Sequence, residues 1–113
     1  MDKPRFNYVR TFRQRHALSE RDLAFLISRT QTTISAMEYG DLTPTLDAAL
    51  ALQVLFRLPP KELFPECYER AEERVMRRAA DLIVKMQDKT DRRTAAKLDF
   101  LENLASEASD IEL

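Results

Sequence analysis

Residues 19–40 read SERDLAFLISRTQTTISAMEYG, and this stretch contains two helix starts and one helix stop. Ser19 is a good N-cap, and Asp22, three positions on, completes a capping box in its short-acid form. Leu18 before the cap and Leu23 behind it make a hydrophobic staple. Leu23, Ala24, Leu26 and Ile27 then supply a buried stripe that breaks at Ser28 and Arg29. Thr30 caps a second short helix that runs through Tyr39, with Ile34 and Met37 as its apolar positions. Gly40 stops it in the left-handed conformation that a residue without a Cβ adopts freely.

Two short helices joined by a turn of about three residues have the geometry of a helix-turn-helix. The flanking sequence continues in helices. Phe6, Val9 and Phe12 or Arg13 recur at helical spacing, which predicts a first helix from about Asn7 to His16. Thr45 caps a fourth helix with Leu46, Ala49, Leu52 and Phe56 on one face, stopped by Pro59 and Pro60. Lys61 to Pro65 reads as one short turn that plugs the bundle.

Composition agrees. The 113 residues include a single glycine, where average usage gives about eight. Sheets joined by tight hairpins need residues at positive φ, so an all-β or dinucleotide-fold reading is poor and an all-α chain is expected. All five prolines lie within the first 65 residues, and 66–113, with neither Pro nor Gly, is expected to be helical. The expected division is a helix-turn-helix domain over 1–65 and a helical segment over 66–113 used for oligomerisation or for binding a partner.

In the tail, Tyr68, Val75, Ala79, Leu82 and Met86 fall at coiled-coil steps with charged residues around them, and they form the expected dimer seam. A second run places Ala95, Leu98, Leu101 or Glu102, and Ala105 on one face. Thr90 or Asp88 can cap a new helix and give a hairpin, or one helix can run straight through. Three uses of the tail stay open. It can pair with a second copy, fold back on its own domain, or grip a different protein.

Charge and cysteine usage exclude several classes. With 18 Lys and Arg against 19 Asp and Glu, the chain is no generic basic polyanion binder. Charge is uneven, however: 1–40 holds seven bases and four acids, whereas 98–113 holds five acids and no base. One cysteine, Cys67, makes no internal disulfide, and His16 as the lone imidazole supplies no zinc constellation. No apolar run approaches the roughly 18 residues of a membrane span, and the start lacks the build of a signal peptide. The expectation is a cytoplasmic protein with no cofactor, no metal, no catalytic residues and no membrane association. His16 has no evident catalytic partner and reads as a surface or boundary residue.

The exposed face of the third helix begins Gln31-Thr32-Thr33 and continues with Ser35 and Ala36, short or amide side chains with no acid among them. A helix N-terminus with free amides suits phosphate. Gln binds adenine in a bidentate way, and Thr offers a hydroxyl to a base or a methyl to thymine. A helix that faced only solvent would carry more Glu, Lys and Arg than this one.

Over residues 9–64 the chain resembles the Cro/cI-type helix-turn-helix repressors, also called the xenobiotic-response-element family. The resemblance rests on Val9 and Arg13, Leu23-Ala24, Ile34-Ser35, Glu38, Gly40, Pro44, Leu46, Phe56 and Leu63 in that order. It implies a five-helix domain followed here by one long helix or a helical hairpin, and a regulator, of the repressor kind, that binds double-stranded DNA as a homodimer on an inverted repeat. It implies base contacts from Gln31 and Thr32, with Thr33 and Ala36 next in reach. Backbone contacts fall to Arg10, Arg21, Thr30, Ser35, Tyr39 and Thr43. Arg13 and Glu38 match a buried structural ion pair. The chain departs from the pattern at three places. Glu20 stands where a Gln holds a phosphate, Asp41 where a base is common, and Ser28 where the turn usually has glycine. Arg10, Arg21, Arg29, Lys3 and Arg5 can compensate for these departures. Alternatively, Glu20 and Asp41 permit a protein-interaction module, antitoxin-like or an adaptor, whose C-terminal helices bind a different protein and whose DNA binding is weak or accessory.

Overall fold

Helix starts follow the caps. In the computed structural model, which describes residues 6–87, 89 and 91–111 and the side chains of these up to 107, α1 spans Val9–Arg15. It begins two residues later than its periodicity predicts, because the Asn7 side chain lies before the helix and its Oδ1 accepts the Val9 amide at 3.1 Å. Helix α2 spans Glu20–Leu26 behind a complete capping box: Ser19 Oγ accepts the Asp22 amide and Asp22 Oδ2 accepts the Ser19 amide, both at 2.9 Å. Helix α3, Gln31–Tyr39, starts where Thr30 Oγ1 accepts the Thr33 amide at 3.1 Å, and ends at Gly40, φ 97°. Helix α4, Leu46–Phe56, is capped by Thr45 through the Ala48 amide. The short α5, Pro60–Leu63, and the long α6, Pro65–Met86, and α7, Arg92–Ile111, complete the chain. Every regular element among the described residues is a helix, so the fold is all-α.

The chain divides into two compact units, residues 1–70 and 71–113. In the first, α2 and α3 pack together, α1 reaches α3, and α5 meets α4. The core joins Val9, Leu23, Ala24, Ile27, Ile34, Met37, Ala48, Leu52, Phe56, Leu63 and Phe64. Each fully buried Leu or Ile among them contributes on the order of 2 kcal/mol of transfer free energy. Leu18 packs half-buried against this core, as the staple position requires. The amide of Tyr8 donates to the Leu63 carbonyl at 2.8 Å, which closes the unit across its two ends.

Two predicted core positions face outward instead. Leu26 is half exposed and Leu46 is 74% exposed. On α4 the inward face is defined by Ala48, Leu52 and Phe56 at four-residue steps, with Ala49 beside it. Leu46 lies off that line and begins a second apolar line with Leu50 and Val54 on the outer side. On α2, Leu23 and Ile27 are one turn apart and fill the contact, and Leu26 falls to the flank. His16 is exposed, yet its ring stacks on Phe56 at 6.0 Å.

The second unit settles the choice between one straight helix and two. Helix α6 stops at Met86, and α7 begins behind Asp91, whose carboxylate accepts the Thr94 amide at 3.3 Å and bonds the Thr94 hydroxyl. Thr90 and Asp88, the predicted caps, lie outside the described residues. Leu82 of α6 lines one shallow cleft with Ala96, Lys97, Phe100 and Leu101 of α7, so the chain returns beside itself as a hairpin. The five predicted seam residues divide here. Ala79 and Met86 are buried, whereas Tyr68, Val75 and Leu82 are each about half exposed.

Candidate nucleic-acid interface

The α3 surface is set by what holds its two ends. At the C-terminal end, Arg13 of α1 meets Glu38 in a fork, Nε to Oε2 at 2.6 Å and Nη2 to Oε1 at 3.1 Å, and both side chains are over 90% buried. The third donor, Nη1, bonds the Leu18 carbonyl at 2.8 Å. The guanidinium pKa is raised above its ordinary value, first by the hydrogen bond to Glu38 and then by the charges of Glu38 and Glu20. The planar fork of Arg matches a carboxylate in a way Lys does not, so this contact fixes orientation as well as charge.

A second tie had no counterpart in the sequence reading. Asn7 is buried, its Nδ2 donates to the Met37 carbonyl at 2.9 Å, and its Oδ1 takes the Val9 amide. One side chain thus accepts the first amide of α1 and adds a second donor to the Met37 carbonyl in the last turn of α3, which also accepts the Gly40 amide at 3.1 Å. The available signal was an Asn two residues before the first helical apolar position, a capping residue that periodicity alone absorbs into the helix.

At the N-terminal end, Thr30 Oγ1 is committed to the Thr33 amide and lies 2.8 Å from the Thr33 hydroxyl. These two threonines form one capped corner and are less available to a ligand than their sequence position suggests. Gln31, Thr32 and Ser35 are exposed; Thr33 and Ala36 are half-buried. Tyr39 is 68% exposed at the far end of the same helix. The surface of α3 therefore presents amide, hydroxyl, methyl and phenol groups with no ionised side chain, because its one acid, Glu38, is turned inward onto Arg13.

Of the other predicted contacts, Arg10 on α1, Arg21 on α2 and Thr43 in the loop after Gly40 are all exposed. Arg29 is drawn to the start of α4, where its Nη2 lies 3.2 Å from Asp47 Oδ2 and 3.3 Å from Thr45 Oγ1. Its charge is shared with Asp47 before any outside anion reaches it. Lys3 and Arg5 lie outside the described residues. Of the three departures, Asp41 is exposed, but Glu20 is half-buried and contributes its charge to Arg13. Ser28 holds φ 56°, so the turn takes the left-handed corner although it lacks glycine.

Compared with family models, characterised proteins and solved structures, the chain matches none.

The geometry stands on its own. Among the described residues no group of three His, Cys, Asp or Glu side chains is arranged to hold a metal ion. No helix among them is long and apolar enough to cross a membrane.

Proposed function

We propose that the chain is a sequence-specific DNA-binding transcriptional regulator, a repressor acting as a homodimer on an inverted repeat, with α3 as the reading helix. The observation that carries this reading is the uncharged outer face of α3, held at one end by the Thr30 cap and at the other by the buried Arg13–Glu38 fork. A helix that only faced water would gain nothing from internal removal of its single acid. A helix that enters the major groove gains by it, because a carboxylate there would repel phosphates and mismatch most base edges.

Roles follow from reach and chemistry. Gln31 and Thr32, exposed in the first turn, address base edges, with Ala36 available to a thymine methyl and Thr33 held closer to the cap. Arg10, Arg21, Ser35, Tyr39 and Thr43 contact phosphates, and these set register and orientation rather than sequence. With few cations on this face, affinity per half-site is modest. Pairing two copies multiplies it through effective concentration and supplies the symmetry of the operator.

The test is a mobility shift of the full chain on DNA selected from random sequence, run at about 50 and 200 mM salt. A specific shift that weakens with salt supports the regulator, since phosphate contacts release counterions. Failure to select any sequence, or equal retention of all DNA, rejects it.

A further inference from the structure

The second unit leaves one face of its hairpin apolar and unpartnered, and its flanking charges define how a second copy covers it. Val75 is 52% exposed, Leu82 44% and Phe100 57%. Leu82 and Phe100 line one cleft together with Ala96. Val75 and Leu82 are seven residues apart on α6, and Ala96 and Phe100 four apart on α7, so each helix contributes a single line to this face. Ala79 and Met86, on the line of α6 beside this one, are buried, so Val75 and Leu82 form the open flank of the same apolar stripe.

We infer that a second copy of this chain docks face to face on the surface made by Val75, Leu82, Ala96 and Phe100, with its two-fold axis running along the helices. This rests on the dimeric part of the proposed function and not on DNA binding.

Size permits it. The α6 residues of this unit rise about 25 Å, and two helices side by side are about 20 Å wide. The face is therefore on the order of 500 Å² per copy and about 1,000 Å² per dimer, the scale at which a specific interface holds.

Charge selects the axis. Arg78 is within one turn of both Val75 and Leu82, Arg74 is one turn before it, and Lys85 is one turn beyond Leu82, so the open edge of α6 is basic. On α7, Glu107 lies two turns beyond Phe100 on the exposed line and lines a cleft with Phe100 and Asn103. Neither Arg74 nor Glu107 has an ion-pair partner among the described residues. Two face-to-face arrangements are possible. An axis across the helices sets α6 against its own copy, antiparallel, and brings the basic edges together. An axis along the helices sets α6 against the partner's α7. Because Leu82 is level with the 96–101 segment, Arg74 then lies level with Glu107 of the other copy. The second arrangement brings Arg74 to Glu107, and it starts both α6 helices at the same end of the four-helix bundle.

The experiment uses full-length chains and measures mass by sedimentation at micromolar concentration, with helicity checked by circular dichroism. The wild type is expected to be a dimer, and Phe100→Glu, at an exposed position, a folded monomer. Arg74→Glu alone and Glu107→Arg alone should each weaken self-association at least tenfold. Mixed together, they should form a heterodimer, because each copy's altered edge then faces an opposite charge on both sides. A wild-type monomer overturns both this inference and the dimeric reading. A dimer that survives Phe100→Glu, or a mixture that fails to recover association, overturns this arrangement and leaves the dimeric reading in place.

Discussion

Arg13 and Glu38 meet through two parallel hydrogen bonds, 2.6 and 3.1 Å, in a site from which water is nearly excluded. The contact joins α1 to the last turn of α3 and turns the only charge of α3 inward. Removal of one partner strands the other's charge. Arg13→Met or Glu38→Leu is expected to cost about 3–5 kcal/mol in urea unfolding, whereas the double variant recovers most of that loss. Additive losses in the double variant would show that the two side chains act independently.

Ser28 occupies a left-handed corner at φ 56°, where a Cβ costs roughly 1–2 kcal/mol. Part of any gain from glycine is returned through the greater freedom of the unfolded chain. Ser28→Gly should therefore stabilise by about 0.5–1 kcal/mol, measured by chemical denaturation. A destabilised glycine variant would mean that the serine hydroxyl makes a compensating bond.

Asn7 satisfies backbone groups at two helix ends at once. Asn7→Leu removes both bonds while keeping volume, and should lower stability by about 1–3 kcal/mol by leaving the Val9 amide without its acceptor and the Met37 carbonyl with the Gly40 amide alone. The loss is read from the thermal midpoint. An unchanged midpoint would show that neither bond contributes.

Asp22 is held below the usual carboxylate range, first by the Ser19 backbone amide and then by the Ser19 hydroxyl, and Asp91 is held low by the Thr94 hydroxyl and amide. A depressed native pKa makes the ionised form the stabilising one. This contribution is complete above the unfolded carboxylate value and is lost as pH falls through the native value. The unfolding midpoint should be flat from pH 7 to about 5 and drop below about 4. Asp22→Asn should reduce that drop, and an identical acid profile in the variant would remove Asp22 from the account.

Gln31→Ala should relax sequence preference by about 1–3 kcal/mol at one base position, roughly 5- to 150-fold in affinity ratio, with helicity unchanged. Uniform weakening on every sequence would assign Gln31 to the backbone instead.

Sequence patterns disclosed helix starts better than helix faces. Ser19, Thr30, Thr45 and Gly40 act through their own backbone chemistry, which is local, and each is found capping or ending the helix expected of it. Leu26 and Leu46 differ from expectation because periodicity identifies an apolar line without saying which of two lines meets the core. Helix α4 carries one on each side, Ala48, Leu52 and Phe56 inward and Leu46, Leu50 and Val54 outward. The tail shows the same ambiguity, since Val75 and Ala79 belong to adjacent lines that a heptad count merges. The role of Asn7 is not legible in sequence because it depends on a carbonyl 30 positions away. Arg29 reads as a compensating cation in the sequence, and the fold brings Asp47 beside it.

The first turn of α6 bears on how the chain can be divided. Glu66 accepts the Phe6 amide and Cys67 packs on the N-terminal core, so the long helix begins as a structural part of the first unit. A fragment cut at Pro65, where the proline pattern invites a cut, would lose the Glu66 acceptor of the Phe6 amide and the packing of Cys67 on the core. A fragment carried to Arg70 retains these closures.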